Sequence, residues 1–180
     1  KTKELFLDHG EVLPFDDLII ATGSKPNKFG WPGQDLKAVT GLYSKQDLET
    51  LTKYSQDGKH AVIVGGGLIG IELAEMFHSR HIPVTFLVRE QSYLNMVLPP
   101  EESSMISRHI LENGIDLQLG TELKEILPDE NGKVRAAVTS KGETIDCQYV
   151  GLTAGVRPNI QFLKDSGIET ARGILVNEYL

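Results

Sequence analysis

The strongest constraint on the fold of this chain is a glycine-rich turn between an apolar segment and a helical one. Residues 61–64 read Ala-Val-Ile-Val, a short run with β-branched side chains that is typical of a buried parallel strand. Residues 65–70 read Gly-Gly-Gly-Leu-Ile-Gly, and apolar residues then recur at helical spacing through residue 77. Strand, glycine turn and helix in this order favour a dinucleotide-binding unit, although the glycine spacing alone is a weak signal.

Three of the glycines have distinct expected roles. Gly65 lets the chain turn sharply, Gly67 lets a pyrophosphate approach the backbone, and Gly70 lets the helix pack closely on the strand. The first helical N–H groups and the positive end of the helix dipole form an anion site. A glycine turn in an unrelated α/β sheet is the alternative, and strand, spacing and helix together disfavour it. The residues expected to bind the coenzyme here are Gly65, Gly66, Gly67, Leu68, Ile69 and Gly70.

Composition excludes several other classes of protein. The net charge of −7 and the lack of a basic run argue against nucleic-acid binding. The single cysteine, Cys147, excludes an internal disulfide or redox pair and is expected to be an inert buried or half-buried thiol. The longest apolar stretch is too short and too glycine-rich to cross a membrane. We therefore expect a cytoplasmic protein, and the strand-like ends of the chain suggest a segment of a longer one.

The remaining pattern predicts an α/β fold. A hairpin is expected around residues 8–10, a capped helix after Ser44 with Asp47 at the capping-box spacing, and a helix from Pro100 that stops at Asn113-Gly114. The result is a Rossmann-like parallel sheet with helices on both faces plus an antiparallel β-meander. Further strands are predicted at residues 16–21, 83–88, 115–119, 123–127, 134–138, 144–150 and 149–153.

The end of the second parallel strand leaves the choice of coenzyme open. In a dinucleotide fold, an acidic residue about 20 positions past the glycines accepts hydrogen bonds from the adenosine ribose. Here Val88 occupies that position and Arg89-Glu90 follows. Arg89 is suited to a 2′-phosphate and Glu90 to a ribose hydroxyl, so the sequence is divided between NADPH and NADH. A solvated charged loop is the third possibility.

Two further loops are candidate contacts at strand ends. Thr22 and Gly23 allow a close backbone approach, although local chemistry favours an ordinary strand exit. Ala154 and Gly155 follow the last parallel strand, at the edge where ligands bind, and Arg157 behind them is either a cofactor contact or a surface charge. We expect no metal site, because the pair of histidines at residues 78 and 81 lacks further ligands.

Three landmarks occur in a fixed order, at residues 18–26, 65–72 and 153–159. In that order and spacing the chain resembles the FAD-dependent pyridine nucleotide–disulfide oxidoreductases, and within them the nitrite reductase, rubredoxin reductase and NADH oxidase flavoproteins. The resemblance implies that residues 1–35, with the hairpin and the Ala-Thr-Gly turn, are the C-terminal part of an FAD-binding domain segment. Residues 36–155 are then the NAD(P)H-binding domain, and residues 156–180 return towards the FAD domain.

The resemblance also implies an activity, in which NAD(P)H passes a hydride to flavin. Glu72 is implied to lie near the nicotinamide and to orient it, while local chemistry explains Glu72 equally as a first-turn acid. The FAD glycine motif is absent, so we expect FAD to bind the full-length parent, with the FAD domain of the same polypeptide and a small redox protein as partners. A non-catalytic dinucleotide sensor and a flavin-independent dehydrogenase are the alternatives.

Overall fold

The order of the elements follows the predicted pattern closely. The computed structural model describes residues 2–179. Its helices are α1 (Lys45–Ser55), α2 (Leu68–His78) and α3 (Pro100–Glu112), with a short 3-10 helix at Gln161–Leu163. Its strands are β1 (Glu4–Phe6), β2 (Val12–Pro14), β3 (Ser24–Pro26), β4 (Val39–Thr40), β5 (Ala61–Val64), β6 (Val84–Val88), β7 (Asp116–Leu119), β8 (Leu123–Pro128), β9 (Val134–Thr139), β10 (Thr144–Asp146), β11 (Tyr149–Leu152) and β12 (Val156–Pro158).

The central sheet has five parallel strands in the order β4-β11-β5-β6-β7. Val62 lies between Val150 on β11 and Thr85 on β6, which fixes the register at the middle of the sheet. Every residue of β5, β6 and β11 is buried, as expected for parallel strands covered on both faces. The α/β prediction is therefore confirmed.

Helix α2 packs closely on this sheet. A Cβ added to Gly151 on β11 would lie 2.4 Å from Leu73 Cδ2. The strand therefore needs a glycine at the place where the side chain of Leu73 packs on it. The rings of Phe77 and Tyr149 lie with centroids 4.6 Å apart, and the Tyr149 hydroxyl is 2.6 Å from Thr40 Oγ1. These buried contacts hold the middle and the last turn of α2 against β11.

The helix boundaries follow local chemistry. Ser44 caps α1 by accepting from Asp47 N, and the Asp47 carboxylate accepts from Ser44 N, so the predicted capping box is confirmed. Helix α3 starts with Pro100 in its first turn. It ends at Asn113 and at Gly114 with φ of 81°, as predicted.

A second sheet is antiparallel and has the order β10-β9-β8, which confirms the predicted meander. Cys147 follows β10 and has no exposed surface. The expectation of a buried cysteine is therefore confirmed, and burial raises the pKa of its thiol to about 12, which favours low reactivity. Within residues 2–179, no helix is long and apolar enough to cross a lipid bilayer.

The chain divides into two compact units. One joins the N-terminal residues up to Ser24 with the C-terminal residues from Pro158, and the other is Lys25–Arg157. In the first unit, Leu5 pairs with Leu13 in the antiparallel pair β1–β2, so the predicted hairpin is confirmed. The strand predicted at residues 16–21 is wrong. Ile19 there is 88 % exposed, and this apolar run pairs with no other strand in the part of the chain that is described.

Candidate functional site

A cavity of about 880 Å³ lies at the carboxyl edge of the parallel sheet. It is lined by segments that follow four of the five strands: residues 65–69 after β5, residues 89–90 after β6, residues 121–123 after β7 and residues 153–155 after β11. Ligands of open α/β sheets bind outside the carboxyl ends of the strands, at the point where the strand order reverses. The volume matches that of pockets for extended organic ligands.

Two glycines of the turn are required by close packing. Gly65 has φ of 119°, and a Cβ there would lie 2.6 Å from the carbonyl oxygen of Thr153. A Cβ on Gly70 would lie 2.2 Å from the Gly65 carbonyl oxygen and 3.0 Å from Phe86 Cε2. Real Cβ contacts are not this short, so both positions exclude a side chain. The predicted roles in turning the chain and in packing the helix agree with this geometry.

Gly67 differs because it faces open space. It is the N-cap of α2, with an extended backbone at φ of −93° and ψ of −179°, and no side chain caps the helix. A Cβ at Gly67 would meet no atom within 4 Å, and the residue lines the cavity. The first-turn N–H groups of an eleven-residue helix therefore lie beside an open approach, which suits a phosphate. The predicted pyrophosphate of NAD(P)H fits this position.

Gly66 contacts the neighbouring strand. A Cβ at Gly66 would lie 2.7 Å from Val88 Cγ1, and the side chain of Val88 is fully buried at the end of β6. Gly66 also lines the cavity, as do Leu68 and Ile69 with exposed fractions of 71 % and 39 %. The glycine turn is therefore seated on β6 as well as on β11.

Arg89 and Glu90 both line the cavity and bind each other. Arg89 Nε and Nη2 donate to Glu90 Oε1 over 3.1 and 2.8 Å. These hydrogen bonds, with the charge of Glu90 and then that of Glu122, raise the pKa of Arg89 above its ordinary value. The backbone there is fixed, because Gly120 N donates to Glu90 O over 2.8 Å and Thr121 N donates to Val88 O over 3.0 Å.

Ala154 and Gly155 line the opposite side of the turn and are held by Asn27. Asn27 Nδ2 donates to Ala154 O over 3.2 Å, and Asn27 N donates to Gly155 O over 3.0 Å. Gly155 has φ of 80°, a backbone conformation that favours glycine. Thr153 Oγ1 donates to Val64 O over 2.9 Å and joins this loop to β5. No local pattern in the sequence marks Asn27 as part of this site.

Other predicted site residues are not among those that line this cavity. Glu72 is exposed and is the fifth residue of α2, and the first turn holds no acidic residue, so its interpretation as a first-turn acid is wrong. Thr22 and Gly23 belong to the other compact unit, where Thr22 Oγ1 donates to Asn159 O and Asn159 N donates to Gly23 O, both over 2.9 Å. Arg157 is exposed on β12.

An apolar wall completes the cavity, and most of it was not predicted. The rings of Phe29 and Trp31 meet edge to face with centroids 5.2 Å apart. Residues 94–97 form another part of the wall, with Met96 90 % and Val97 76 % exposed. Exposed apolar side chains around a cavity suit a flat organic ring. Within residues 2–179 no group of three His, Cys, Asp or Glu side chains is placed to hold a metal ion.

The chain is similar in sequence to several known proteins. The model of the pyridine nucleotide-disulphide oxidoreductase family matches residues 1–180. The nitrite reductase [NAD(P)H] of Bacillus subtilis is 29 % identical over 100 % of this chain and 22 % of its own length. The ferredoxin–NAD(+) reductase component of the p-cumate 2,3-dioxygenase system of Pseudomonas putida is 32 % identical over 97 % of this chain and 42 % of its own length.

The structural comparison gives the same grouping. A ferredoxin reductase from Rhodopseudomonas palustris superimposes with a TM-score of 0.89 at 29 % identity. The match covers 97 % of this chain and 43 % of that one. The chain therefore spans less than half of the length of each of these relatives.

Proposed function

Because this chain belongs to the pyridine nucleotide-disulphide oxidoreductase family, we propose that it is the NAD(P)H-binding part of an FAD-dependent oxidoreductase. The observation that carries the proposal is the cavity at the carboxyl edge of the parallel sheet, with Gly67 open to it at the start of α2. A backbone N-terminus without a capping side chain is suited to a pyrophosphate. The names of the relatives, which include NAD(P)H and NAD(+), point to the same class of ligand.

The residues of the chain are assigned roles on this basis. Gly67 and the first N–H groups of α2 bind the pyrophosphate, while Gly65 and Gly70 keep the turn in place. Arg89 and Glu90 contact the adenosine ribose, and Phe29 and Trp31 exclude water from the apolar part of the cavity. The residues proposed to bind NAD(P)H at the cavity are Gly65, Gly66, Gly67, Leu68, Ile69, Arg89, Glu90, Ala154 and Gly155. Gly70, Glu72, Thr22 and Gly23 do not line the cavity, and their proposed contacts with a cofactor rest on the family resemblance, with Thr22 and Gly23 as part of the FAD domain.

The chemistry is divided between the coenzymes and the chain. When bound, NAD(P)H would supply the hydride and the flavin of the FAD domain would accept it. The chain contributes position, because a dinucleotide held at its pyrophosphate and at its adenosine leaves its nicotinamide half with few orientations. Glu72 on α2 is proposed to orient the nicotinamide, as in the family.

The proposal extends to the organisation of the whole protein. Residues 36–155 are proposed as the NAD(P)H domain, with residues 1–35 and 156–180 as parts of the FAD domain of the same polypeptide. The unit Lys25–Arg157, which includes β4 to β11, supports a dinucleotide domain inserted between two pieces of another. A small redox protein is the proposed acceptor, since two relatives are named as ferredoxin reductases, and the cytoplasm is the proposed location.

Two measurements test this function. Calorimetric titration of the 180-residue chain with NADH, NADPH and FAD separately should show binding of a nicotinamide dinucleotide and none of FAD. In the full-length protein, anaerobic mixing with NADH or NADPH should bleach the visible absorbance of the flavin. Tight FAD binding by the chain without a nicotinamide response would mean that the glycine turn serves a different cofactor from the one proposed.

The same measurements separate the alternatives. A full-length protein that binds dinucleotide but leaves its flavin oxidised would be a sensor. A substrate oxidised by this chain with NAD alone would make it a flavin-independent dehydrogenase. Among the described residues, the only acid–base side chains of the carboxylate type that line the cavity are Glu90 and Glu122, which gives that alternative little support.

A further inference from the structure

The coenzyme that this cavity prefers depends on the charges around its adenosine end. NADH and NADPH differ only in the 2′-phosphate of the adenosine ribose, which adds about two negative charges. The ribose lies at the end of the second strand of a dinucleotide fold, which here is β6. Val88 ends that strand with a buried apolar side chain turned against Gly66, so the next two residues set the chemistry there.

Three charged residues line the cavity among those that are described: Arg89, Glu90 and Glu122. Their net charge is −1. Arg89 is 72 % exposed and gives two N–H donors to one oxygen of Glu90, which is only 31 % exposed. Two of the five N–H donors of Arg89 are used on Glu90, and its positive charge is already offset by that carboxylate, so its attraction for a phosphate is reduced.

The second carboxylate is Glu122, which also lines the cavity and follows Thr121, whose N donates to Val88 O over 3.0 Å beside the end of β6. The charge of Glu122, like that of Glu90, raises the pKa of Arg89. The backbone of Glu122 is fixed, because Glu122 N donates to Ser140 Oγ over 3.0 Å and Ser140 N donates to Glu122 O over 2.8 Å. A 2′-phosphate at this end of the cavity would therefore meet two carboxylates and one arginine whose positive charge is already offset by Glu90.

Glu90 is suited to the hydroxyl form of the ribose. The two N–H groups of Arg89 that contact Glu90 both donate to Oε1, so the geometry of the pair leaves Oε2 to accept from a ribose hydroxyl. An exposed ion pair between adjacent residues contributes little to the stability of the fold. We therefore assign the Arg89–Glu90 pair the role of orienting the carboxylate of Glu90.

We propose that this cavity selects NADH over NADPH, with Glu90 accepting from the adenosine ribose, Arg89 holding Glu90 in place, and Glu122 repelling a 2′-phosphate. This specificity rests on the proposed function, since it concerns the same dinucleotide site. The sequence alone left the coenzyme undecided, because Arg89 is suited to NADPH and Glu90 is suited to NADH.

The test is calorimetric titration of the chain with NADH and with NADPH at several ionic strengths. At low salt NADH should bind more tightly by about tenfold or more. Added salt should lower the ratio of NADH affinity to NADPH affinity, because salt screens the repulsion between the carboxylates and the 2′-phosphate. If Arg89 were instead a phosphate ligand, salt would weaken NADPH relative to NADH, so the sign of the salt effect distinguishes the two arrangements.

Charge-neutral variants give a second readout. Glu122→Gln should strengthen NADPH binding several-fold and change NADH binding by less than about twofold. Glu90→Gln should weaken NADH and narrow the ratio. Glu130→Gln, on an exposed turn before β9, makes the same change in net charge outside the cavity and should leave the ratio unchanged. Thermal unfolding of each variant confirms that it is folded.

The possible failures are distinguishable. NADPH that binds as tightly as NADH, or a Glu122→Gln variant with an unchanged ratio, would overturn the specificity and leave the dinucleotide function in place. Binding of neither coenzyme would overturn the proposed function, and the specificity with it.

Discussion

The backbone of Gly66 lies against the side chain of Val88, so that a Cβ on Gly66 would stand 2.7 Å from Val88 Cγ1. Val88 is fully buried and cannot swing into solvent. This contact joins the glycine turn after β5 to the end of β6, where Arg89 and Glu90 begin. The residue that replaces the expected acid at position 88 therefore supports the turn, and the polar contacts move to the next two positions.

This contact predicts a coupled pair of mutations. Gly66→Ala should lower the free energy of unfolding by about 1–3 kcal/mol, because the new methyl group overpacks a filled site. Val88→Ala should also destabilise, by leaving a cavity. The double variant should be more stable than the sum of the two losses by about 1 kcal/mol, since each change relieves the other. Urea unfolding of the four proteins measures the coupling, and strictly additive losses would contradict the contact.

A substitution at Gly67 should lower dinucleotide affinity while leaving the stability of the fold nearly unchanged. Gly67→Ala should change the free energy of unfolding by less than about 1 kcal/mol, because the methyl group meets nothing and the extended backbone accepts alanine. Dinucleotide affinity should fall by about tenfold or more, because the methyl group takes the space of the pyrophosphate.

The matched control for that variant is Gly173→Ala. A Cβ at Gly173 would likewise meet no atom within 4 Å, and Gly173 does not line the cavity. The control variant should leave both stability and affinity nearly unchanged. Titration and thermal unfolding of the two variants decide the matter, and an unchanged affinity in Gly67→Ala would place the phosphates elsewhere.

Much of the fold could be predicted because its signals are local. The apolar residues of β5, the glycines after it and the spacing in α2 are neighbours in sequence, and so are Ser44 and Asp47 in the cap of α1. The run at residues 16–21 has the same apolar character as a strand, but a strand also needs a partner. Periodicity does not say whether a partner is present, and Ile19 is left exposed.

The parts that could not be predicted depend on contacts between distant positions. Asn27 donates to Ala154, 127 positions along the chain, and nothing near Asn27 marks that contact. The start of α2 at Leu68 agrees with the sequence pattern, and the interpretation of Glu72 as a first-turn acid is wrong because Glu72 is the fifth residue of that helix. The pairing of Arg89 with Glu90 could be imagined from the sequence, but the buried orientation of Val88 and the nearness of Glu122 required the structure.

Asn27 predicts an effect on the loop after β11. Asn27→Ala removes the donor to Ala154 O and keeps the backbone bond to Gly155 O, so the free energy of unfolding should fall by about 0.5–1.5 kcal/mol. Dinucleotide affinity should fall about threefold to tenfold, because Ala154 and Gly155 lose part of their support at the cavity. Asn131→Ala, at the exposed turn before β9, is the control and should leave affinity unchanged. An affinity in Asn27→Ala equal to that of the wild type would show that this hydrogen bond does not position the loop.

The buried thiol of Cys147 predicts how stability depends on alkaline pH. Desolvation by burial raises its pKa from 9.0 to about 12, so the folded state holds the proton more tightly than the unfolded chain does. The resulting stabilisation is complete below about pH 9 and is lost as the pH rises towards about 12. Unfolding free energies of the wild type should therefore fall above about pH 9, by at most about 1.4 kcal/mol per pH unit from this one group.

The control for this prediction must separate the thiol from two buried phenols. Tyr93 and Tyr149, whose pKa values burial raises from 10.0 to about 12, add their own loss from about pH 10 upward. Cys147→Ala removes only the thiol contribution, so the difference in stability between wild type and variant should shrink with rising pH, starting before the tyrosines titrate. The native thiol should also resist alkylation until the protein unfolds. A difference that stays constant across this range, together with rapid alkylation of the native protein, would mean that Cys147 is accessible to solvent and titrates as an ordinary cysteine.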